Sequence, residues 1–235
     1  MYIAHRGLHD NIVPENSLLA FKKAIESGYN IELDIQMTKD NVLVIFHDEN
    51  TFRMTGVSKN ITKSTYNEIK KLRLKDTNEK IPTLQETLNL VAGKVYLDIE
   101  IKRRKQKRKY LQLIKKTLDN YKGEYSIKSF DPTIPRWYKK HNSSIKCGVL
   151  NYSHNDYIAP KFFRIFLRNC NYLFWYKPDF IAYKLDDYTK ELDEKLKKYN
   201  ISIMLWTITT DEQRKKALKY TNNIIFEKIK ITTKI

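Results

Sequence analysis

"YIAHRGLHDNIVPENSLLAFKKAIESGYNIELDIQM", residues 2–37, reads as a strand, a helix and a second strand in direct succession. Residues 2–5 are a short strand that ends on a titratable ring, His5. Between Ser17 and Ser27, Leu18, Phe21, Ala24 and Ile25 recur at helical spacing, and Gly28 closes the stripe. Residues 30–37 then alternate apolar with Asn30, Glu32, Asp34 and Gln36, the period of a strand.

The same alternation extends along the chain. "VLVIFH" (42–47) follows a Lys39-Asp40-Asn41 turn and predicts a hairpin with 30–37. Leu84–Val91 reads as a helix, followed by Gly93 and the strand "VYLDIEIK" (95–102), and a basic helix fills about 105–121. "YSIKSF" (125–130), "KCGVL" (146–150), "DFIAYK" (179–184), "ISIMLWTI" (201–208) and "NNIIFEK" (222–228) read as strands, with helices at 133–141, 188–199 and 211–220. Strand and helix repeated about eight times over 235 residues predicts an α/β fold, a (β/α)8 TIM barrel forming one domain over 1–235. An open doubly wound sheet ranks second, because no G-x-G-x-x-G follows the first strand. Little chain remains after Lys228, so the eighth helix is expected to be short or missing.

The composition narrows the classes. A hydrophobic fraction of 41% and a charged fraction of 30% support a sizeable core and argue against disorder. Cys147 and Cys170 have neither ligand spacing nor a disulfide framework, and no signal peptide or apolar run long enough to span a bilayer is evident, so a cytoplasmic location is expected. The net charge of +17, from 44 Lys+Arg against 27 Asp+Glu, attracts polyanions in general. Lys, Asn, Ile and Tyr abound along the whole chain, so the excess reads as compositional bias, and nucleic acid is not an expected partner.

In a barrel, groups at the carboxyl ends of strands face the active site. There the sequence puts His5 and Arg6, then Glu32 and Asp34 at i and i+2 on one face, then His47 and Asp48, then Asp98, Glu100 and Lys102. Burying unpaired carboxylates costs several kcal/mol each, and Glu32, Asp34 and Glu100 outnumber the inward cations. A divalent ion resolves this, and all-oxygen donors select Mg2+ or Ca2+ over zinc. A one-residue shift would instead turn these acids outward, but Ile31, Leu33 and Ile35 would then fill the barrel interior while acids faced the helices. His5 and His47 beside this cluster suit proton transfer near neutral pH, and Arg6 and Lys102 complete a phosphate site. His9, His141 and His154 are given no role; the i, i+4 spacing of His5 and His9 suits a zinc pair only on a helix, which Gly7 opposes.

The ordered motifs "AHRG", "PENSLLAF", "IELDIQMTKDNVLVIFHDENTFRMTG", "IPTLQETL", "LDIEIK", "SFDP" and "LWTITT" resemble the glycerophosphodiester phosphodiesterases, densely over 3–102 and thinly beyond. The resemblance implies a TIM barrel with a small insertion at about 38–80, and one divalent cation, Mg2+, Ca2+ or Mn2+, on Glu32, Asp34 and Glu100. It further implies His5 and His47 as the acid–base pair, Arg6 and Lys102 as phosphate ligands, Glu15 and Asn16 as bracing or lining residues, and Trp206 as a wall of the glycerol pocket. The implied activity is hydrolysis of a small-molecule glycerophosphodiester to sn-glycerol 3-phosphate and an alcohol. Water or the substrate's own 2-hydroxyl can serve as nucleophile.

Thr209 in "LWTITT" stands where the family often has Asn, and Phe226 and Glu227 replace the family's usual residues at the last strand. Segment 157–177 interleaves Phe162, Phe163, Phe166, Leu173, Phe174 and Trp175 with Lys and Arg. It reads as the ordinary fifth barrel helix; the alternative is a lip in peripheral contact with an anionic membrane surface, with a lysophospholipase-D-type or sphingomyelinase-D-like activity on lipids.

Overall fold

The computed structural model describes residues 1–152 and 161–229. The chain divides into two compact units, Ile3–Tyr125 and, with Met1–Tyr2, Ser126–Ile235. The first contains β1 (Tyr2–Ala4), α1 (Leu18–Glu26), β2 (Asn30–Met37), β3 (Leu43–Ile45), α2 (Phe52–Thr55), α3 (Tyr66–Ile69), α4 (Leu84–Val91), β4 (Leu97–Ile101) and α5 (Lys107–Leu118).

Strand β2 is the centre of this unit. It pairs in parallel with β1 through Ala4 and Ile31, in parallel with β4 from Ile31–Leu97 to Ile35–Ile101, and antiparallel with β3. The β2–β4 register sets Asp34 beside Glu100 and Glu32 beside Asp98. Both faces of β2 are buried: Ile31, Leu33 and Ile35 alternate with Glu32, Asp34 and Gln36. The acids therefore share one face, as their spacing requires. Helix α1 starts where the Ser17 hydroxyl accepts the Ala20 N–H, and Thr83 with Glu86 forms a capping box on α4.

The predicted strand 42–47 is shorter than expected. Phe46 keeps its N–H on the Asp34 carbonyl, but the carbonyls of Phe46, His47 and Asp48 turn to the buried Gln36 amide, at 2.9, 3.1 and 2.6 Å, and regular pairing ends at Ile45. Between β2 and α4 the chain builds its own small core from Val44, Phe46, Met54, Ile61, Ile69, Leu74 and Ile81.

The second unit continues with β5 (Tyr125–Ser129), α6 (Thr133–His141), β6 (Lys146–Asn151), α7 (Lys161–Arg168), β7 (Phe180–Lys184), α8 (Lys190–Lys198), β8 (Ser202–Ile208), α9 (Asp211–Ala217) and β9 (Ile224–Phe226). These five strands pair in parallel, each with its successor. Threonine hydroxyls cap α8 and α9. Eight strand positions in parallel ladders, helices between them and the antiparallel β3 make this a (β/α)8 barrel fold, as the sequence predicts.

Among the described residues no helix is long and apolar enough to cross a membrane. Cys147 and Cys170 are buried free thiols, and burial pushes Cys147 up to about 12. In 157–177 the structure shows α7 and a 3-10 turn at Asn171–Phe174; residues 157–160, His154 and any helix at 230–235 lie outside the described residues.

Candidate active site

The first strand hands over to the site through a tight turn. Gly7 has φ +80°, and a Cβ there would lie 2.8 Å from the Ala20 Cβ, so only glycine lets β1 run this close to α1. Arg6 also adopts a left-handed conformation, φ 54°, which turns its N–H onto Glu32 Oε2 at 3.0 Å. Its guanidinium reaches Glu15 Oε1 at 2.7 Å and Asp34 Oδ2 at 3.5 Å. His5 Nε2 lies 4.0 Å from Glu32 Oε2. Asn16, with φ 54°, donates its backbone N–H to the Arg6 carbonyl and its Nδ2 to Asp34 Oδ2 at 2.9 Å.

Glu32, Asp34 and Glu100 are buried, and one donor oxygen from each lies within 4.8 Å of the others. Lys102 Nζ sits 2.8 Å from Asp34 Oδ1 and 2.6 Å from Glu100 Oε1. The cations thus turn further inward than the sequence suggests, since Lys102 and Arg6 both pair with acids. Arg6 is in turn shared between Asp34 and Glu15, so its charge is divided between two carboxylates.

The electrostatics follow from this crowding. Burial pushes Asp34 up, but Lys102 and Arg6 outweigh it and hold its carboxyl well below the usual range. Burial pushes Glu100 up and Asp34 and Glu32 add to the rise, against Lys102. Burial lowers Lys102, yet Asp34 and Glu100 keep its ammonium firmly charged.

These residues fit a hard divalent cation. The donors are all oxygen, the like charges are close, and the buried Asn16 Oδ1 beside them has no hydrogen-bond partner among the described residues. The Asn16 Nδ2 contact with Asp34 fixes which amide end is the orphan.

His47 leaves the hairpin beyond β3 with Nδ1 2.6 Å from Asp48 Oδ1. Of the sequence-predicted residues, His5, Arg6, Glu15, Asn16, Glu32, Asp34, His47, Glu100 and Lys102 all belong to the Ile3–Tyr125 unit. Trp206 is on β8 of the other unit, edge-on to Phe130 at 5.9 Å between ring centroids, with its indole N–H buried. His141 stacks on Trp137, with ring centroids 4.0 Å apart.

Two residues escaped the sequence reading. Gln36, two positions beyond Asp34 on the same β2 face, holds the backbone of the His47 turn; its place in the Glu32-x-Asp34-x-Gln36 alternation was the available signal. Arg53 binds both Asp48 and Glu15, across 38 positions in the latter case, and no local pattern announces such a contact.

The profile of the glycerophosphoryl diester phosphodiesterase family matches residues 5–227. The chain belongs to that family. A glycerophosphodiester phosphodiesterase of Caldanaerobacter subterraneus subsp. tengcongensis is 32% identical over 93% of this chain and 90% of its own. The crystal structure of a glycerophosphodiester phosphodiesterase from Thermotoga maritima matches this phosphodiesterase with a TM-score of 0.75 at 26% identity, over 96% of this chain and 93% of the other. An Oleispira antarctica phosphodiesterase, solved with the product sn-glycerol-3-phosphate, shares the fold with a TM-score of 0.81 at 20% identity, over 97% and 92% of the two chains. The enzyme class read from the motifs is therefore the class of this phosphodiesterase.

Proposed function

We propose that residues 1–235 act as one domain that hydrolyses soluble glycerophosphodiesters to sn-glycerol 3-phosphate and an alcohol, with a divalent cation and a pair of histidines. The observation that carries this reading is the convergence of Glu32, Asp34 and Glu100 with Lys102 and Arg6 at the ends of neighbouring strands.

Glu32, Asp34 and Glu100 would hold Mg2+, Ca2+ or Mn2+, with Asn16 Oδ1 nearby. Such an ion supplies positive charge to the nonbridging phosphate oxygens. Arg6 and Lys102 bind the same phosphate, and their pairing with carboxylates keeps both charged and aimed. His47 carries its proton on Nδ1, toward Asp48, and presents Nε2 for proton transfer. His5 exchanges the second proton, so that one ring activates the nucleophile while the other protonates the departing alkoxide. The two buried thiols suit the reducing cytoplasm.

A second reading, a lipid phosphodiesterase touching an anionic membrane, draws on Phe162 and Phe174, which are 75% and 79% exposed. One assay separates the two. Choline and sn-glycerol 3-phosphate are quantified after incubation with glycerophosphocholine or with lysophosphatidylcholine vesicles, in EDTA and with each cation. The first reading expects turnover of glycerophosphocholine that EDTA stops and a cation restores, and a loss of about 100-fold or more for His47→Ala. Full activity in EDTA would refute the metal, and turnover of the vesicle substrate alone would favour the lipid reading.

A further inference from the structure

A second charged network joins the two halves of this site and meets the acid cluster only at its end, through Arg6. The Arg53 guanidinium, on α2, donates from Nε to Asp48 Oδ2 at 2.5 Å. Its other edge donates to Glu15, with Nη2 2.6 Å from Oε1 and Nη1 3.0 Å from Oε2. The far oxygen of Asp48 holds His47 Nδ1 at 2.6 Å. Glu15 Oε1 also accepts from Arg6 at 2.7 Å. One planar side chain thus grips the carboxylate behind the imidazole and the carboxylate behind the phosphate-side guanidinium.

We propose that Arg53 is a positioning residue that sets His47 and Arg6 relative to each other through Asp48 and Glu15. The inference rests on the roles given above to His47 and Arg6. An exposed ion pair alone is worth little, and Arg53 is 48% exposed. Here, however, the fork makes three directed bonds to two carboxylates that are themselves mostly buried, and it carries orientation as well as charge. The backbone that presents it is anchored, because the adjacent Met54 is buried in the small core with Phe46 and Ile61. The β2–α4 excursion, held by that core, is what carries the strut. With Arg53 in place Asp48 stays ionised and pointed, which keeps the His47 proton on Nδ1 and leaves Nε2 free. Lysine, a single point charge, cannot occupy both carboxylates in this geometry.

The test reads the His47 tautomer directly, by nitrogen-15 NMR of histidine-labelled protein above the pH at which the ring is neutral, with the signal assigned by loss in His47→Ala. Wild type is expected to show the Nδ1–H form. Arg53→Ala and Arg53→Lys are expected to shift the ring toward the Nε2–H form, with melting temperature and circular dichroism showing that each is folded; should the alanine variant fail to fold, Arg53→Lys and Arg53→Gln carry the test. On glycerophosphocholine, Arg53→Ala should lower kcat about tenfold or more and raise KM, because both arms are released. Joined to Asp48→Asn, it should lower kcat by clearly less than the product of the two single losses, because the Asp48 arm is shared and only the Glu15–Arg6 arm is added. An unchanged tautomer in folded Arg53 variants, or kcat losses that multiply in the double variant, would overturn the proposal. The NMR readout needs no turnover, so an inactive wild type would sink the functional reading while leaving the strut to be judged by the tautomer.

Discussion

Glu15 illustrates how one side chain balances opposing terms. Burial pushes its carboxyl up, but hydrogen bonds and charge from Arg53 and Arg6 overrule burial and bring it down to about 2. A carboxyl depressed in the folded state contributes stability above its unfolded value, near 4.5, and loses it as the pH falls toward 2. Chemical unfolding of wild type and Glu15→Gln at a series of pH values should therefore show a gap at neutral pH. That gap should be on the order of 1–2 kcal/mol, reduced by the exposure of Arg53, and should close between pH 4.5 and 2. Two parallel curves down to pH 2 would mean that Glu15 is not held by these arginines. Lys102 is balanced in the opposite sense, between Asp34 and Glu100, and its charge offsets part of the repulsion between those two buried acids.

The connection from β1 to α1 shows how a backbone requirement serves a site. His5 and Arg6 stand just before Gly7, whose left-handed φ and contact with Ala20 and Phe21 admit no side chain. Gly7→Ala should cost about 2 kcal/mol or more, read as a lower unfolding midpoint, and should lower turnover as well because the Arg6 N–H moves off Glu32. A variant with wild-type stability would show that the turn relaxes at no cost. The hairpin end works by a related device: beyond β3 the Gln36 amide gathers the carbonyls of Phe46, His47 and Asp48 and so fixes the turn that presents His47.

Taken as a unit of chemistry, this strongly basic chain places an acidic, cation-hungry cluster in its Ile3–Tyr125 unit. A ligand that binds only the folded state stabilises it by mass action, by about 2.7 kcal/mol at a hundred times its dissociation constant. For a protein of 235 residues this corresponds to a rise in melting temperature of roughly 5–10 °C. Addition of Mg2+, Ca2+ or Mn2+ to chelator-treated protein should give such a rise for at least one ion, and Glu32→Gln should abolish it. Identical melting curves with EDTA and with every cation would remove the metal from the mechanism.

Much of this was legible before any coordinates. The alternation of Glu32 and Asp34 with Ile31, Leu33 and Ile35 put both acids on one face, since successive strand side chains point to opposite sides. The strand–helix repeat gave the barrel class for a similar reason, because periodicity is written in near neighbours. The depth to which Lys102 enters the cluster, the orphaned Asn16 oxygen and the links from Arg53 to Asp48 and Glu15 were not legible. These depend on where loops carry residues far apart in the chain, and no local period encodes that path; it emerges only once the β2–α4 excursion packs its own core and brings α2 against the turn that follows β1.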